Sequence, residues 1–265
     1  MPIRETPWPA GTPCWTDCQV DDTNRAQEFY RDLFGWEIAG GAPEAGGYLM
    51  ALRDGRPVAG IGPKPPGQPM PSTWTTYIAT DNADDTSAAI TAAGGTVVMA
   101  PFDVLDAGRM LVATDPGGAA FGVWQAKQHF GAAVYNEPGA YCWNELHTDG
   151  YQRAQEFYTQ VFGWTFTEIG DGVNVDYATF ALAPDGEPVG GLNDSTKNPG
   201  AGPSYWLSWF QVEDTDAILA SATGLGATLL MGPDDSPFGR MGVLIAPQGE
   251  TFGVIDTAQT TEIPS

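Results

Sequence analysis

The sequence predicts an α+β protein of four βαβββ modules, arranged as two tandem domains of two modules each. Three observations carry this. First, residues 14–36, CWTDCQVDDTNRAQEFYRDLFGW, are echoed by residues 142–164, CWNELHTDGYQRAQEFYTQVFGW. Trp15 recurs as Trp143, Phe29 as Phe157 and Gly35 as Gly163, each about 128 residues later, a period that duplicates domains rather than solenoid units. Second, PSTWTTYIATDN (71–82) answers PSYWLSWFQVED (203–214), and GRMLVATDPGGAAFGV (108–123) answers GRMGVLIAPQGETFGV (239–254). Third, within each copy the apolar pattern switches from a period of two to a helical period and back.

Taken in order, segment 14–20 alternates, with Trp15, Asp17 and Gln19 on one strand face and Cys14, Thr16, Cys18 and Val20 on the other. Asp22 or Thr23 can cap a helix whose Ala26, Phe29, Tyr30 and Leu33 fall at helical spacing, and Gly35 can close it. Strands at 48–52 and 57–62 flank Arg53-Asp54-Gly55-Arg56, whose Asp-Gly pair signals a hairpin. The proline-rich 63–71 is a connector. A strand at 73–80, an Ala-rich helix at about 83–93 and strands at 96–99, 108–114 and 119–125 complete the first copy. The second copy reads as strand 141–147, helix 151–162, hairpin 177–192, connector 193–202, strand 204–212, helix 215–224 and strands 227–231, 239–245 and 251–256. The domains are therefore placed at 11–126 (modules about 11–62 and 72–126) and 139–257 (modules about 139–192 and 203–257), joined by 127–138. Each half is long enough to bury a core of its own.

Composition excludes several classes of function. A net charge of −22, from 33 acidic and 11 basic residues without a Lys/Arg cluster, opposes binding to nucleic acid or to an anionic membrane surface. No apolar run approaches bilayer-spanning length, and MPIRETPWPAGTP lacks the apolar core of a signal peptide. Cys14 and Cys18 lie roughly 13 Å apart along one strand, too far to bridge. A reducing cytoplasm is the expected location. Walker, dinucleotide-fold and Ser/His/Asp patterns are absent from the sequence.

The twice-repeated D-x-x-x-A-x-x-FY-x-x-x-FGW after a strand, the second strand–helix pair in each half, and the terminal DPGG-x-x-FGV and PQG-x-x-FGV strands resemble the vicinal-oxygen-chelate superfamily of glyoxalase I, bleomycin-resistance proteins and extradiol dioxygenases. More narrowly the chain resembles the tandem glyoxalase-like "hydroxylase" proteins of actinomycetes. The resemblance covers nearly the whole chain. It implies that each pair of modules curls into a cup-shaped sheet holding the site, and that a divalent metal sits in that cup. Carried over by motif, the metal positions fall on Trp15, Thr75 and Gly122 in one half and on Trp143, Leu207 and Gly253 in the other. Trp, Leu and Gly offer no donor to a divalent cation and a lone Thr hydroxyl is a poor one, so no cofactor is expected at the usual positions. A metal held by Asp17 and Glu145 together is the alternative.

Polar groups remain on the same strand face: Asp17 and Gln19 after Trp15, and Glu145 and His147 after Trp143, about 6.6 Å apart along each strand. Glu145 and His147 can serve as base and proton partner, with the carboxylate favouring the imidazolium; Asp17 and Glu145 can equally be hydrogen-bonded seam residues. His129 reads as a linker residue. Arg109 and Arg240, in matching Gly-Arg-Met positions, either pair with a nearby acid (Asp106, Asp234 or Asp235) or anchor a substrate anion. Trp15, Trp74, Trp143, Trp206, Tyr77 and Trp209 supply aromatic surface to a flat ligand or to the core. The expected function is action on a small aromatic or carbonyl-containing metabolite by metal-independent acid–base chemistry (isomerisation, cyclisation, elimination) or an oxygenation the ligand supports. The alternative is non-catalytic sequestration of the bleomycin-resistance type. Because the carried-over positions offer no better donor than Thr75, elemental analysis of the purified protein should find well under one equivalent of Zn, Ni, Fe or Mn; stoichiometric metal surviving mild chelation would revive the chelate mechanism.

Overall fold

The computed structural model describes residues 3–65, 67, 70–170, 176–197 and 202–261. In the first half, β1 (Pro13–Val20) leads to α1 (Thr23–Phe34), β2 (Glu37–Gly40), β3 (Leu49–Arg53) and β4 (Arg56–Pro63). These are followed by β5 (Thr73–Ala79), α2 (Ala83–Ala92), β6 (Thr96–Val104), β7 (Gly108–Thr114) and β8 (Ala120–Ala126). The second half repeats the order: β9 (Tyr141–Thr148), α3 (Tyr151–Phe162), β10 (Thr165–Glu168), β11 (Tyr177–Ala181), β12 (Gly190–Asp194), then β13 (Tyr205–Gln211), α4 (Thr215–Gly224), β14 (Thr228–Ser236), β15 (Gly239–Ile245) and β16 (Thr251–Asp256). Asp22 is the cap of α1, its carboxylate accepting from the N–H groups of Asn24 and Arg25, and Gly35 ends the helix in the left-handed region. Asp54 and Gly55, with φ of 50° and 70°, make the hairpin turn between β3 and β4.

Two features were not legible as individual strands. β2 and β10 are four-residue strands at sheet edges, and β2 is mostly exposed, so neither carries an alternating apolar pattern. β6 and β14 run to nine residues each, through Pro101 and Pro233, where a sequence reading stops; both are edge strands, which tolerate a missing N–H. Of the expected connectors, residues 66, 68, 69 and 198–201 lie outside the described residues.

The strands form two eight-stranded sheets, ordered β2-β3-β4-β1-β5-β8-β7-β6 and β10-β11-β12-β9-β13-β16-β15-β14. The two opening strands of each half pair antiparallel at the centre, and each is flanked by the parallel closing strand of its own module. The register sets Trp15 opposite Tyr77 and Asp17 opposite Thr75, and correspondingly Trp143 opposite Trp209 and Glu145 opposite Leu207. These residues therefore share one face of each sheet.

The opposite faces do not bury separate cores. One cluster joins Ala26, Phe29, Tyr30 and Trp36 of the first half to Phe210, Leu244, Phe252 and Val254 of the second. The other joins Ile78, Leu111, Phe121 and Val123 to Phe157, Tyr158, Trp164 and Trp206. α1 thus packs onto the second sheet, with Phe34 5.2 Å from Phe210 between ring centres, and α3 packs onto the first, with Tyr158 5.8 Å from Phe121. The expectation that each half buries a core of its own is corrected in this respect: modules one and four share a core, as do modules two and three. Matching polar bridges cross the seam. Tyr30 donates to Glu250 Oε1 at 3.0 Å and accepts from Trp74 Nε1 at 3.1 Å; Tyr158 donates to Asp115 Oδ2 at 3.2 Å and accepts from Trp206 Nε1 at 3.0 Å. Between the central strands, Thr16 and Ser208 hydroxyls meet at 2.8 Å and Thr76 donates to Asn144 Oδ1 at 2.8 Å. Removing one bridging hydroxyl strands a buried carboxylate oxygen and an indole N–H. Tyr30→Phe and Tyr158→Phe should therefore each lower the unfolding free energy by about 1–3 kcal/mol in urea titrations.

Candidate functional site

The shared strand face of the second sheet borders a cavity of about 560 Å³. Residues of β11 and of β15, at opposite sides of the sheet order, line the same space, so the sheet curls around it as a cup. Its walls are Trp143, Tyr177, Trp209, Phe238, Met241 and Ile255. Asn136, Thr179 and Gln211 add neutral polar groups; among the described residues Glu145 is the one acidic side chain in the lining, and no Lys or Arg lines it.

Glu145 belongs to a connected polar group. Trp143 Nε1 donates to the Tyr177 hydroxyl at 3.0 Å, and that hydroxyl donates to Glu145 Oε2 at 2.8 Å. His147 Nε2 lies 2.6 Å from Glu145 Oε1, and its ring stacks on Tyr205 at 4.8 Å with the planes 4° apart. Burial, reinforced by the Glu145 charge, pushes the Tyr177 phenol well above its ordinary value, so it stays a neutral donor at physiological pH. Cys142 also borders the cavity, but burial pushes its thiol up to about 12, which leaves it without thiolate character near neutrality. Glycine makes this arrangement possible at two places. A Cβ at Gly191 would run into the Tyr177 hydroxyl, and one at Gly253 into the Trp209 ring, so both aromatic side chains lie across the neighbouring strand.

The first sheet carries the same pattern in closed form. Trp15 Nε1 donates to the Tyr48 hydroxyl at 3.0 Å, which donates to Asp17 Oδ2 at 3.0 Å. Here, however, Trp15, Asp17, Tyr77 and Trp124 are all buried. His129, expected only as a linker residue, packs edge-on against Trp15 at 4.5 Å, while its carbonyl accepts from Trp124 Nε1 at 2.8 Å. Trp124 stands in the place taken by Ile255 in the open cup, as shown by their matching partners Met110 and Met241. Burial raises Asp17 to about 6 against hydrogen bonds from Tyr48 and Tyr77, and burial lowers His129 to about 4.

Of the residues singled out from sequence, the structure gathers Trp143, Glu145 and Trp209 around the cavity, with His147 reaching it through Glu145. Trp15 and Asp17 occupy the equivalent, closed face, and Gln19 lies further along β1, opposite Thr73 and Gly62. Trp206 points the other way, into the shared core against Tyr158. Trp74 does likewise against Tyr30. Arg109 makes a two-pronged pair with Asp84 at 2.9 Å, with Asp103 at 3.6 Å. Arg240 binds Asp216 at 2.5 and 2.9 Å and Asp235 at 2.7 Å. Neither arginine lines the cavity. The partners Asp84 and Asp216 sit in the first turns of α2 and α4, so these pairs tie helix to sheet. Tyr177 and Phe238 were missed. The signal for Tyr177 was available in the repeat, since Tyr48 precedes β3 as Tyr177 opens β11.

The family's metal does not fit these residues. Of the carried-over positions, Trp15 and Gly122 both pair with Tyr77, and Trp143 and Gly253 both pair with Trp209, whereas the carried-over Thr75 and Leu207 lie two residues along, opposite Asp17 and Glu145. A side chain at Gly122 would collide with the Tyr77 ring as one at Gly253 would with Trp209. Among the described residues no group of three or more His, Cys, Asp or Glu side chains could hold a metal ion. Asp17 and Glu145 face separate cups, so they do not form a joint site.

Residues 15–123 and 138–254 each match the Glyoxalase/Bleomycin resistance protein/Dioxygenase superfamily, and the chain belongs to that superfamily. Among curated proteins it is 42% identical to CFP32 of Mycobacterium tuberculosis, which carries a provisional glyoxylase name, over 97% of this chain and 99% of that one. It is 37% identical to the anthracycline biosynthesis protein DnrV of Streptomyces peucetius, over 93% of each. Its fold is also that of the Mn(II)-bound glyoxalase from Novosphingobium aromaticivorans (TM-score 0.63, 16% identity, 97% of this chain and 88% of that one). The 2,3-dioxygenase LapB from Pseudomonas sp. KL28 is equally similar (TM-score 0.63, 16% identity, 97% and 95%). No helix among the described residues is long and apolar enough to cross a membrane.

The closed cup predicts an unusual pH profile of stability. Asp17 has a folded value of about 6 against an ordinary 3.8, so its contribution is fully present below 3.8 and is lost as pH rises through 6. His129, at about 4 against 6.5, contributes above 6.5 and loses that contribution as pH falls through 4. Each amounts to on the order of 3 kcal/mol and the two slopes oppose each other. In urea titrations between pH 4 and 6.5, the stability of Asp17→Asn relative to wild type should rise with pH, and that of His129→Gln relative to wild type should fall.

Proposed function

We propose that the protein binds a largely apolar, planar metabolite in the second cup and acts on it by acid–base chemistry without a divalent metal. The observation that carries this reading is an aromatic cavity whose one acidic lining side chain among the described residues, Glu145, accepts a hydrogen bond from Tyr177 and lies 2.6 Å from His147. In the reaction, Glu145 takes a proton from an acidic O–H or C–H of the bound compound. Tyr177, held neutral, accepts from Trp143 Nε1 and donates its one hydroxyl proton to the carboxylate, which fixes the carboxylate's orientation toward the cavity. His147 is a positioning residue and proton partner: its Nε2 lies 2.6 Å from Glu145 Oε1 and confines that oxygen. Isomerisation, cyclisation and elimination all fit this proton balance. The relatives named for glyoxylase activity and anthracycline biosynthesis support a small carbonyl-bearing or aromatic metabolite as substrate.

Non-catalytic sequestration is the second reading. It draws support from Glu145 Oε2 already accepting from Tyr177 and Oε1 lying 2.6 Å from His147 Nε2, which leaves the carboxylate less free to act as a base. Mass spectrometry of small molecules retained by the purified protein supplies the ligand with which to decide. Ile255→Trp, which copies Trp124 of the closed cup, should lose the retained compound. Glu145→Gln should keep the fold and an aromatic cavity but lower turnover by at least about 100-fold, while Asp17→Asn changes turnover little. Undiminished turnover in Glu145→Gln would remove it as base and leave the binding reading.

A further inference from the structure

The cavity says more about its ligand than that it is flat. Its walls are aromatic and thioether side chains, its one acidic side chain among the described residues is Glu145, and the two repeated arginines are committed elsewhere: Arg109 to Asp84 and Asp103, Arg240 to Asp216 and Asp235. An anionic group placed in the cavity would meet a carboxylate in a water-poor setting with no Lys or Arg lining to offset it. The chain's charge of −22 repels anions at longer range and concentrates cations. Phe238, half exposed in the turn before β15, lies 6.2 Å from Tyr177 and adds an aromatic face at the opening. With Trp143 and Trp209, these rings present the negative faces that attract a cation or a polarised donor.

Resting on the reading of the second cup as the ligand site, we propose that its ligand is a planar aromatic compound, uncharged or cationic, that presents a hydrogen-bond donor to Glu145, and that the cup discriminates against carboxylates and phosphates. The donor is a phenolic hydroxyl or a protonated amine; what the site reads is the N–H or O–H directed at the carboxylate. This sets the protein apart from any role in which an arginine anchors a substrate carboxylate or enolate.

A matched set of probes tests this. Anthracene carrying at C2 a hydroxyl, an aminomethyl or a carboxylate group keeps the ring system constant, fits within a cavity of this volume, and reports its own binding by fluorescence. The hydroxyl and aminomethyl compounds should bind the wild type at least about tenfold more tightly than the carboxylate, and Glu145→Gln should bring all three within about threefold of one another. Tight binding of the aminomethyl compound alone would assign the recognition to charge; similar binding of both would assign it to the shared donor. The second outcome supports the proposal; the first overturns its donor rule and leaves recognition to charge. Carboxylate binding equal to or tighter than the others, or a preference that survives in Glu145→Gln, would overturn the ligand class while leaving the cavity as the site. Failure of all three to bind the wild type would overturn the site reading and the ligand class together. The wild-type ranking decides the matter even if Glu145→Gln does not fold.

Discussion

A phenol hydroxyl buried between the two halves, with an indole below it and a carboxyl above, is the contact on which the architecture turns. It occurs twice, as Trp74–Tyr30–Glu250 and as Trp206–Tyr158–Asp115. Each tyrosine comes from the first helix of one half and each carboxyl from the other half, so neither half satisfies these polar groups alone. Burial raises both carboxyls above their ordinary values, and the hydroxyl donated to each offsets part of that cost. Around these bridges the apolar residues divide into two mixed cores rather than two domain cores. Because the helices cover the seam-side faces of the sheets, the opposite faces are left to form cups.

The two cups began from one pattern and now differ in what fills them. Both keep a Trp–Tyr–carboxylate chain on the opening strand: Trp15, Tyr48 and Asp17 in one, Trp143, Tyr177 and Glu145 in the other. Both keep glycines at Gly60 and Gly191 that let the tyrosine hydroxyl lie over the neighbouring strand. In the first cup, Trp124 and the connector residue His129 take up the space; in the second, Ile255 leaves it open. The same steric logic holds at the carried-over closing-strand positions. Once Tyr77 and Trp209 lie across Gly122 and Gly253, the closing strands have no room for a ligand side chain there.

Much of this was determined by the sequence alone. The repeat fixes two similar halves because duplicated stretches with the same caps, turns and periodicities must adopt the same local structure. Asp22, Gly35 and the Asp54-Gly55 turn act within a few residues of themselves, so their roles are readable without a structure. The period-two alternation likewise placed Trp143 and Glu145 on one strand face, and the resemblance gave the expectation that the usual metal positions carry no ligand-capable side chain. Tertiary structure alone decided the rest. Which half supplies the core for which sheet depends on contacts between residues such as Tyr30 and Glu250, far apart in sequence, and no local pattern encodes them. Trp206 and Trp209 look alike in a composition count, yet three positions along a strand with alternating faces send one to the core and the other to the cavity. Arg109 and Arg240 are drawn to helix-borne aspartates that only the fold brings near. Trp124 against Ile255 stands in the residue order, but that the ring of His129, from the connector, comes to lie against Trp15 and Trp124 and completes the filling is a matter of packing in space.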